Sequence, residues 1–188
     1  MEWGEEWRLK LVFILLLIRE KLACRALMPE ERRERRKKVN KFLEETFGFL
    51  AGFEWRQISW EEFCREYRNP KRTSQEIISS GCFLGCYEPA TVLYERAKRQ
   101  GISVRFIEMI DRNSRKEDIQ AHCFIELDLN GEWVIVDPTQ REILKKYPDG
   151  YIFFSEGPYR WISFNEFYEA QKRFVLSLSE KEKGGGSK

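Results

Sequence analysis

Residues 120–139 read QAHCFIELDLNGEWVIVDPT and carry the clearest secondary-structure signal in the chain. Two strand-like runs flank Asn130-Gly131, which is the strongest short sequence signal for a β-hairpin. A two-residue turn at this dipeptide places Phe124 directly opposite Asp137, and opposed residues share one face of a sheet. Because side chains alternate along a strand, His122 lies on the same face and is a diagonal neighbour of Asp137. The hairpin therefore predicts a contact between a histidine and a carboxylate.

The other face of the hairpin is apolar and predicts a buried core. Its members are Cys123, Ile125, Leu127 and Val134. Further strand-like runs extend this unit into an antiparallel sheet, with strands expected at about residues 102–110, 120–129, 132–137 and 151–155. Together with the helical patterns elsewhere, the sheet indicates an α+β fold.

Upstream, residues 81–106 read GCFLGCYEPATVLYERAKRQGISVRF and predict a helix followed by a strand. Pro89 belongs in a first helical turn, and Gly101 is a natural helix stop. Cys86 therefore falls at the start of the helix. Backbone N–H groups and the helix dipole lower the pKa of a thiol there, and the same N–H groups can stabilise an oxyanion.

Cys86, His122 and Asp137 together suggest nucleophilic acyl transfer. The chain has a single histidine, so any imidazole chemistry must use His122. The imidazole accepts the proton of the Cys86 thiol and later donates it to the leaving amine. Asp137 orients the ring and stabilises its cation. The individual structural alternatives, a buried small cysteine and a satisfied strand histidine, remain open.

From about residue 80 to residue 139 the chain resembles the transglutaminase-like superfamily, which has a papain-like fold. The resemblance rests on a cysteine that opens a helix ending in a Gly-Ile turn, an H-x-x-x-E strand, a Gly-x-Trp turn and an Asp-Pro-Thr. The matching residues are Cys86, Gly101, Ile102, His122, Glu126, Gly131, Trp133, Asp137, Pro138 and Thr139. The resemblance implies that Cys86 is the nucleophile, His122 the base and Asp137 the orienting group. Family activities include amide hydrolysis, Gln–Lys crosslinking, glycan-amide cleavage and arylamine acetyl transfer.

Five residues near these positions are candidates to contact a peptide or protein substrate. They are Tyr87, Glu88, Phe124, Glu126 and Trp133. Some have plain alternatives, since Trp133 can simply pack and Glu126 can pair with an arginine. A side-chain donor for the oxyanion is not assigned, and Gln57, Trp60 and Gln75 are the candidates. Amide hydrolysis is the first expectation; acyl transfer to an amine and a catalytically silent interaction domain are the alternatives.

Composition excludes several other classes of protein. The 188 residues include 33 basic and 31 acidic ones, a formal charge of +2 that does not indicate a nucleic-acid binder. The five cysteines are odd in number, irregularly spaced and form no C-x-x-C pair. Neither a secreted disulfide framework nor a zinc site is therefore expected, and a cytoplasmic location without metal or cofactor is predicted. A regulatory Cys82–Cys86 disulfide is a weak alternative.

Three segments are expected along the chain: a helical segment 1–50, a catalytic domain 51–180 and a flexible tail 181–188. Residues 11–18, LVFILLLI, are too few to span a bilayer and predict a buried helix over about 5–27. Contact of that helix with a membrane surface or a partner is the alternative. Helices are also expected from Pro29, from Ser59 to about Arg68, from Thr73 or Ser74 to Gly81, and from Ser163 to about Leu178.

Overall fold

A computed structural model describes residues 29–58, 72–129, 131–156 and 164–184. Within these ranges the helices are α1 (Pro29–Ala51), α2 (Ser74–Ser80), α3 (Tyr87–Arg99) and α4 (Phe164–Gly184). The strands are β1 (Glu54–Trp55), β2 (Cys82–Phe83), β3 (Val104–Asp111), β4 (Ala121–Leu129), β5 (Glu132–Asp137), β6 (Glu142–Leu144) and β7 (Tyr151–Glu156). Helices packed on an antiparallel sheet confirm the predicted α+β class.

The main sheet has the strand order β6-β5-β4-β3-β7, and every neighbouring pair is antiparallel. The hairpin of β4 and β5 has the predicted register, with Leu129 opposite Glu132 and Ile125 opposite Val136. A second, two-stranded sheet pairs β1 with β2 in parallel. Sequence patterns did not predict β1, β2 or β6, because two or three residues are too few to display an alternation.

Helices α1 and α3 cover one face of the main sheet. Val39, Phe42 and Leu43 of α1 and Ala90, Leu93 and Ala97 of α3 pack with Phe106, Cys123, Ile125, Leu127 and Val136 of the sheet. These residues are nearly or fully buried, which confirms the apolar face predicted for the hairpin. Helix α1, which lies in the segment 1–50 except for its last residue, therefore shares a core with the segment that follows it.

The opposite face of the sheet carries a smaller cluster. Ile107, Met109 and Phe124 are buried there, with Ile135, Leu144, Tyr147 and Tyr151 packed around them. His122 lies on this face, because it is directly opposite Met109 in the register of β3 and β4. The predicted histidine is thus at one end of the sheet, next to an aromatic cluster.

Several boundaries differ from the predictions. Strand β3 begins two residues later than expected and ends at Asp111. Helix α4 continues to Gly184 instead of stopping near Leu178, so residues 181–184 are helical. The run of Glu and Lys after Ser179 explains this, since both are good helix formers. The expected helices over 5–27 and 59–68 lie outside the described residues.

In the described part of the chain, no helix combines the length and the apolar character needed to cross a membrane.

Candidate active site

Cys86 occupies the position immediately before the first turn of α3. It is the N-cap residue, with φ −59° and ψ −23°, and its side chain makes no capping hydrogen bond. The thiol is therefore not used to satisfy the backbone of its own helix. Its place at the positive end of α3 favours the thiolate over the thiol, as the sequence predicted.

The loop that leads to Cys86 is held by a buried ion pair. Glu88 is fully buried, and its Oε1 lies 2.9 Å from Nη1 of Arg72. Its other oxygen, Oε2, accepts a hydrogen bond of 2.6 Å from the backbone N–H of Leu84. Because Arg72 also donates toward the Ser80 hydroxyl and the Cys82 carbonyl oxygen, the charged pair ties both ends of the loop to α3.

The thiol of Cys86 lies against the edge of β4, in the part of that strand which β5 does not cover. The pairing of β5 with β4 begins only at Ile125, which leaves the edge at residues 121–123 open on that side. Cys86 Sγ is 3.6 Å from the carbonyl oxygen of Ala121. The backbone N–H and the thiol of Cys123 also donate hydrogen bonds to it. The Cys86 thiol therefore lies where a residue of another strand would lie if that strand paired with β4 at residues 121–123.

His122 and Asp137 form the contact that the hairpin register predicted. Nε2 of His122 lies 2.9 Å from Oδ2 of Asp137. The second oxygen of Asp137, Oδ1, accepts the backbone N–H groups of Thr139 at 2.9 Å and Gln140 at 3.1 Å. Both carboxylate oxygens thus have fixed partners. Because Nε2 of His122 is hydrogen bonded to Asp137, Nδ1 is the ring nitrogen that remains for a hydrogen bond with the Cys86 thiol.

Two aromatic rings hold the imidazole from the side. The ring of Phe124 meets it edge to face, with centroids 4.8 Å apart, and the ring of Tyr151 lies 6.2 Å away. Phe124 is completely buried. Such a setting excludes water from one side of the ring and strengthens the hydrogen bonds that His122 makes.

The electrostatics of the three groups favour a thiolate–imidazolium pair. The pKa of Cys86 is held well below its ordinary value by the hydrogen bond from the Cys123 thiol, against the opposing effect of burial, and further by His122. Burial acts to lower the pKa of His122, but hydrogen bonds to Asp137 and Cys86 outweigh it and raise the pKa to about 10. Burial acts to raise the pKa of Asp137, and the hydrogen bond and charge of His122 lower it on balance. The opposite shifts of Cys86 and His122 favour the proton on the imidazole over the proton on the thiol.

The expected substrate contacts divide into two groups, of which the first lies near Cys86 and His122. Tyr87 follows Cys86 and packs on Phe106, with ring centroids 5.1 Å apart. Glu88 and Phe124 are fully buried, so their side chains support the loop and the histidine instead of lining an accessible cleft. For these two residues the predicted substrate contact is corrected to a supporting role.

The second group, Glu126 and Trp133, lies toward the other end of the hairpin. Each is four residues along its strand from His122 or Asp137, which corresponds to about 13 Å. Glu126 accepts a hydrogen bond from the Tyr147 hydroxyl and pairs with Arg105. The guanidinium of Arg105 in turn lies 4.0 Å from the ring centroid of Trp133. Trp133 therefore packs in a cation–π contact away from Cys86 and His122.

Sequence reasoning missed the closeness of Cys123 and Tyr151 to the site. Cys123 was assigned to the core, and it is buried there, but its thiol also reaches Cys86. The sequence signal for a role at the site is that Cys123 is adjacent to His122. Strand alternation, however, predicts that the two side chains lie on opposite faces of the sheet. Tyr151 is more than 25 residues from His122 in sequence and comes close only through the pairing of β7 with β3.

Two of the three suggested oxyanion donors lie within the described residues. Gln57 and Gln75 are exposed, and Trp60 lies outside the described residues. Arg56 donates its backbone N–H to the Phe83 carbonyl oxygen at 3.0 Å, which continues the β1–β2 register toward Gln57 and the loop before Cys86. Gln57 is therefore the suggested donor whose backbone lies beside that loop.

No cluster of three or more His, Cys, Asp or Glu side chains that could hold a metal ion occurs in the described ranges. Cys82, Cys86 and Cys123 are thiols and not members of a disulfide.

The chain matches no protein-family model and no curated protein. Among solved structures it is similar to LapG of Legionella pneumophila. The calcium-bound form aligns with a TM-score of 0.49 and 14% identity over 83% of this chain and 97% of LapG. Another LapG structure and the EGTA-treated form each align with a TM-score of 0.47 and 14% identity, over 85% and 84% of this chain and 96% of LapG.

Proposed function

We propose that this protein is a cysteine-nucleophile acyl-transfer enzyme of the transglutaminase-like superfamily, with a papain-like arrangement of helix and sheet. The observation that carries the proposal is the contact of one thiol, one imidazole and one carboxylate in series. Cys86 at a helix start hydrogen bonds to His122, and His122 lies 2.9 Å from Asp137. The substrate is a peptide or protein amide, and hydrolysis is the reaction.

In the first half-reaction, the Cys86 thiolate attacks the carbonyl carbon of the amide and a C–S bond forms. The N–H groups at the start of α3 face the developing oxyanion. The His122 imidazolium then gives its proton to the leaving nitrogen, the C–N bond breaks and the amine departs. Asp137 keeps the ring oriented and balances its positive charge throughout.

In the second half-reaction, the neutral imidazole takes a proton from water while the resulting hydroxide attacks the thioester carbon. The C–S bond breaks, a carboxylic acid leaves and the thiolate–imidazolium pair is restored. A primary amine in place of water gives a transferase. Hydrolysis is proposed because water is always available as acceptor.

The test is the pH dependence of alkylation by iodoacetamide, followed separately at each cysteine by mass spectrometry. We expect Cys86 to react well below pH 8.5, the ordinary thiol pKa, because the thiolate is stabilised by its neighbours. Cys82 lies four residues before Cys86, in β2, and is partly exposed, so it is an internal reference for reagent access. In His122→Ala the reactivity of Cys86 at pH 6 should fall at least ten-fold.

A second measurement addresses the reaction itself. Peptide libraries incubated with the wild-type protein should be cleaved, and Cys86→Ala should leave them intact. Addition of a primary amine distinguishes hydrolysis from transfer by the mass of the acyl product. If Cys86 titrates like an ordinary thiol in both wild type and His122→Ala, the enzyme proposal fails and a silent interaction domain is the better description.

A further inference from the structure

His122 of β4 has a second acidic neighbour, Asp111, on the adjacent strand β3. Asp137 lies on the other adjacent strand, β5. Because His122 is opposite Met109, Asp111 is its diagonal neighbour on the same face, and such residues are about 7–8 Å apart. Tyr151 of β7 lies directly opposite Asp111. The Tyr151 ring also lies 6.2 Å from the imidazole, so Asp111, Tyr151 and His122 form a contiguous surface at this end of the sheet.

Asp111 carries a charge that the described part of the chain does not neutralise. Its Oδ1 accepts a hydrogen bond of 2.7 Å from the backbone N–H of Asn113, and it forms no ion pair with any described residue. The adjacent Arg112 is exposed, and its backbone N–H is bonded to Gly150. The pKa of Tyr151 is raised by burial and, after it, by the negative charges of Asp111, Cys86 and Asp137. All three charges are therefore close enough to Tyr151 to affect its hydroxyl.

We infer that Asp111 and Tyr151 form a subsite for a cationic group of the substrate, the ammonium of lysine or the guanidinium of arginine. The inference rests on the proposed function, since it concerns the substrate of the same site. A carboxylate beside an aromatic ring suits such a cation, because the carboxylate supplies charge and the ring supplies an electron-rich face. Peptides with lysine or arginine next to the scissile amide are thus the preferred substrates.

The test uses thiol reagents of different charge and needs no known substrate. Cys86 attacks a methanethiosulfonate at sulfur, forms a mixed disulfide and releases methanesulfinate. The three reagents carry a trimethylammonium-ethyl, a methyl or a sulfonato-ethyl group, and reaction at Cys86 is followed by mass spectrometry at pH 9. Even an ordinary thiol is mostly ionised at that pH, so the comparison holds whatever the pKa of Cys86.

The decisive variant is Asp111→Asn, because the amide oxygen can still accept the Asn113 N–H and only the charge is lost. For charges about 8 Å apart and an effective dielectric constant of about 40, the rate ratio of cationic to neutral reagent should fall about six-fold. The ratio of anionic to neutral reagent should rise. Glu132→Gln, at the far hairpin turn, removes the same charge and should leave both ratios unchanged.

Unchanged ratios in Asp111→Asn, or equal changes in Glu132→Gln, overturn the cation subsite. This outcome is separate from failure of the proposed function, which shows instead as ordinary thiol titration of Cys86. If peptides are cleaved, lysine placed on the acyl side or on the amine side of the scissile bond identifies which part of the substrate the subsite holds. Cleavage that shows no preference for lysine or arginine on either side also overturns the inference.

Discussion

Replacement of Asp137 by asparagine should lower the pKa of His122 substantially. Oδ1 of Asp137 accepts two backbone N–H groups, so the variant's amide oxygen is expected to stay in that position. The amide nitrogen then faces Nε2 of His122, where Oδ2 accepted a hydrogen bond of 2.9 Å. Because an amide nitrogen can only donate, the protonated ring loses its partner and the neutral ring gains one.

The size of the effect follows from the lost charged hydrogen bond. Such a bond contributes about 1.5–3 kcal/mol, which corresponds to about one to two pKa units. The pKa of His122 should therefore fall from about 10 to about 8–9 or lower, since the new amide donor also favours the neutral ring. The partners are largely buried, with side-chain exposures of 17% and 9%, so solvent screening removes little of this effect.

The assay is NMR titration of the imidazole ring signals. His122 is the single histidine of the sequence, so its signals need no assignment. Glu132→Gln removes one negative charge at the far hairpin turn and should leave the pKa of His122 unchanged. A His122 pKa near 6.5 in the wild type, or one that does not move in Asp137→Asn, would refute the reasoning.

The same pair makes stability depend on pH in a defined direction. The pKa of His122 is raised from 6.5 to about 10 in the folded protein. Its contribution to stability is therefore complete below pH 6.5 and is lost as the pH rises through 10. Asp137→Asn loses its own histidine contribution already by about pH 8–9, so the difference in unfolding free energy between wild type and variant should be constant below about pH 8. In urea titrations it should shrink only between about pH 8 and pH 10.

Two further variants test the surroundings of the thiol. Glu88→Gln leaves the largely buried Arg72 without its charged partner and should cost about 3 kcal/mol in urea denaturation; a loss below about 1 kcal/mol would contradict a structural role for the pair. Cys123→Ala should raise the pKa of Cys86 by about one unit in the alkylation assay, whereas Cys123→Ser, which keeps a donor, should not. Equal pKa values in the two Cys123 variants would remove that thiol from the site.

The parts of the site that could be predicted are those with local causes. Asn130-Gly131 sets the turn, and the turn sets which residues of β4 and β5 are opposite, so the contact of His122 with Asp137 followed by counting. Cys86 at a helix start followed in the same way from Pro89 and Gly101. Glu88 lies in the first turn of that helix, but its buried partner Arg72 is 16 residues away and no local pattern connects them.

By itself, the sequence determined the α+β class, the register of the hairpin and the identity of a thiol, an imidazole and a carboxylate that could act together. Only the tertiary structure decided how Cys123 and Tyr151 surround them. Strand β7 returns to β3 with a register shift between Glu108 and Met109, and this shift sets Tyr151 opposite Asp111. Turns and helix caps depend on a few adjacent residues, whereas a strand that returns from a distance is positioned by the packing of the whole sheet.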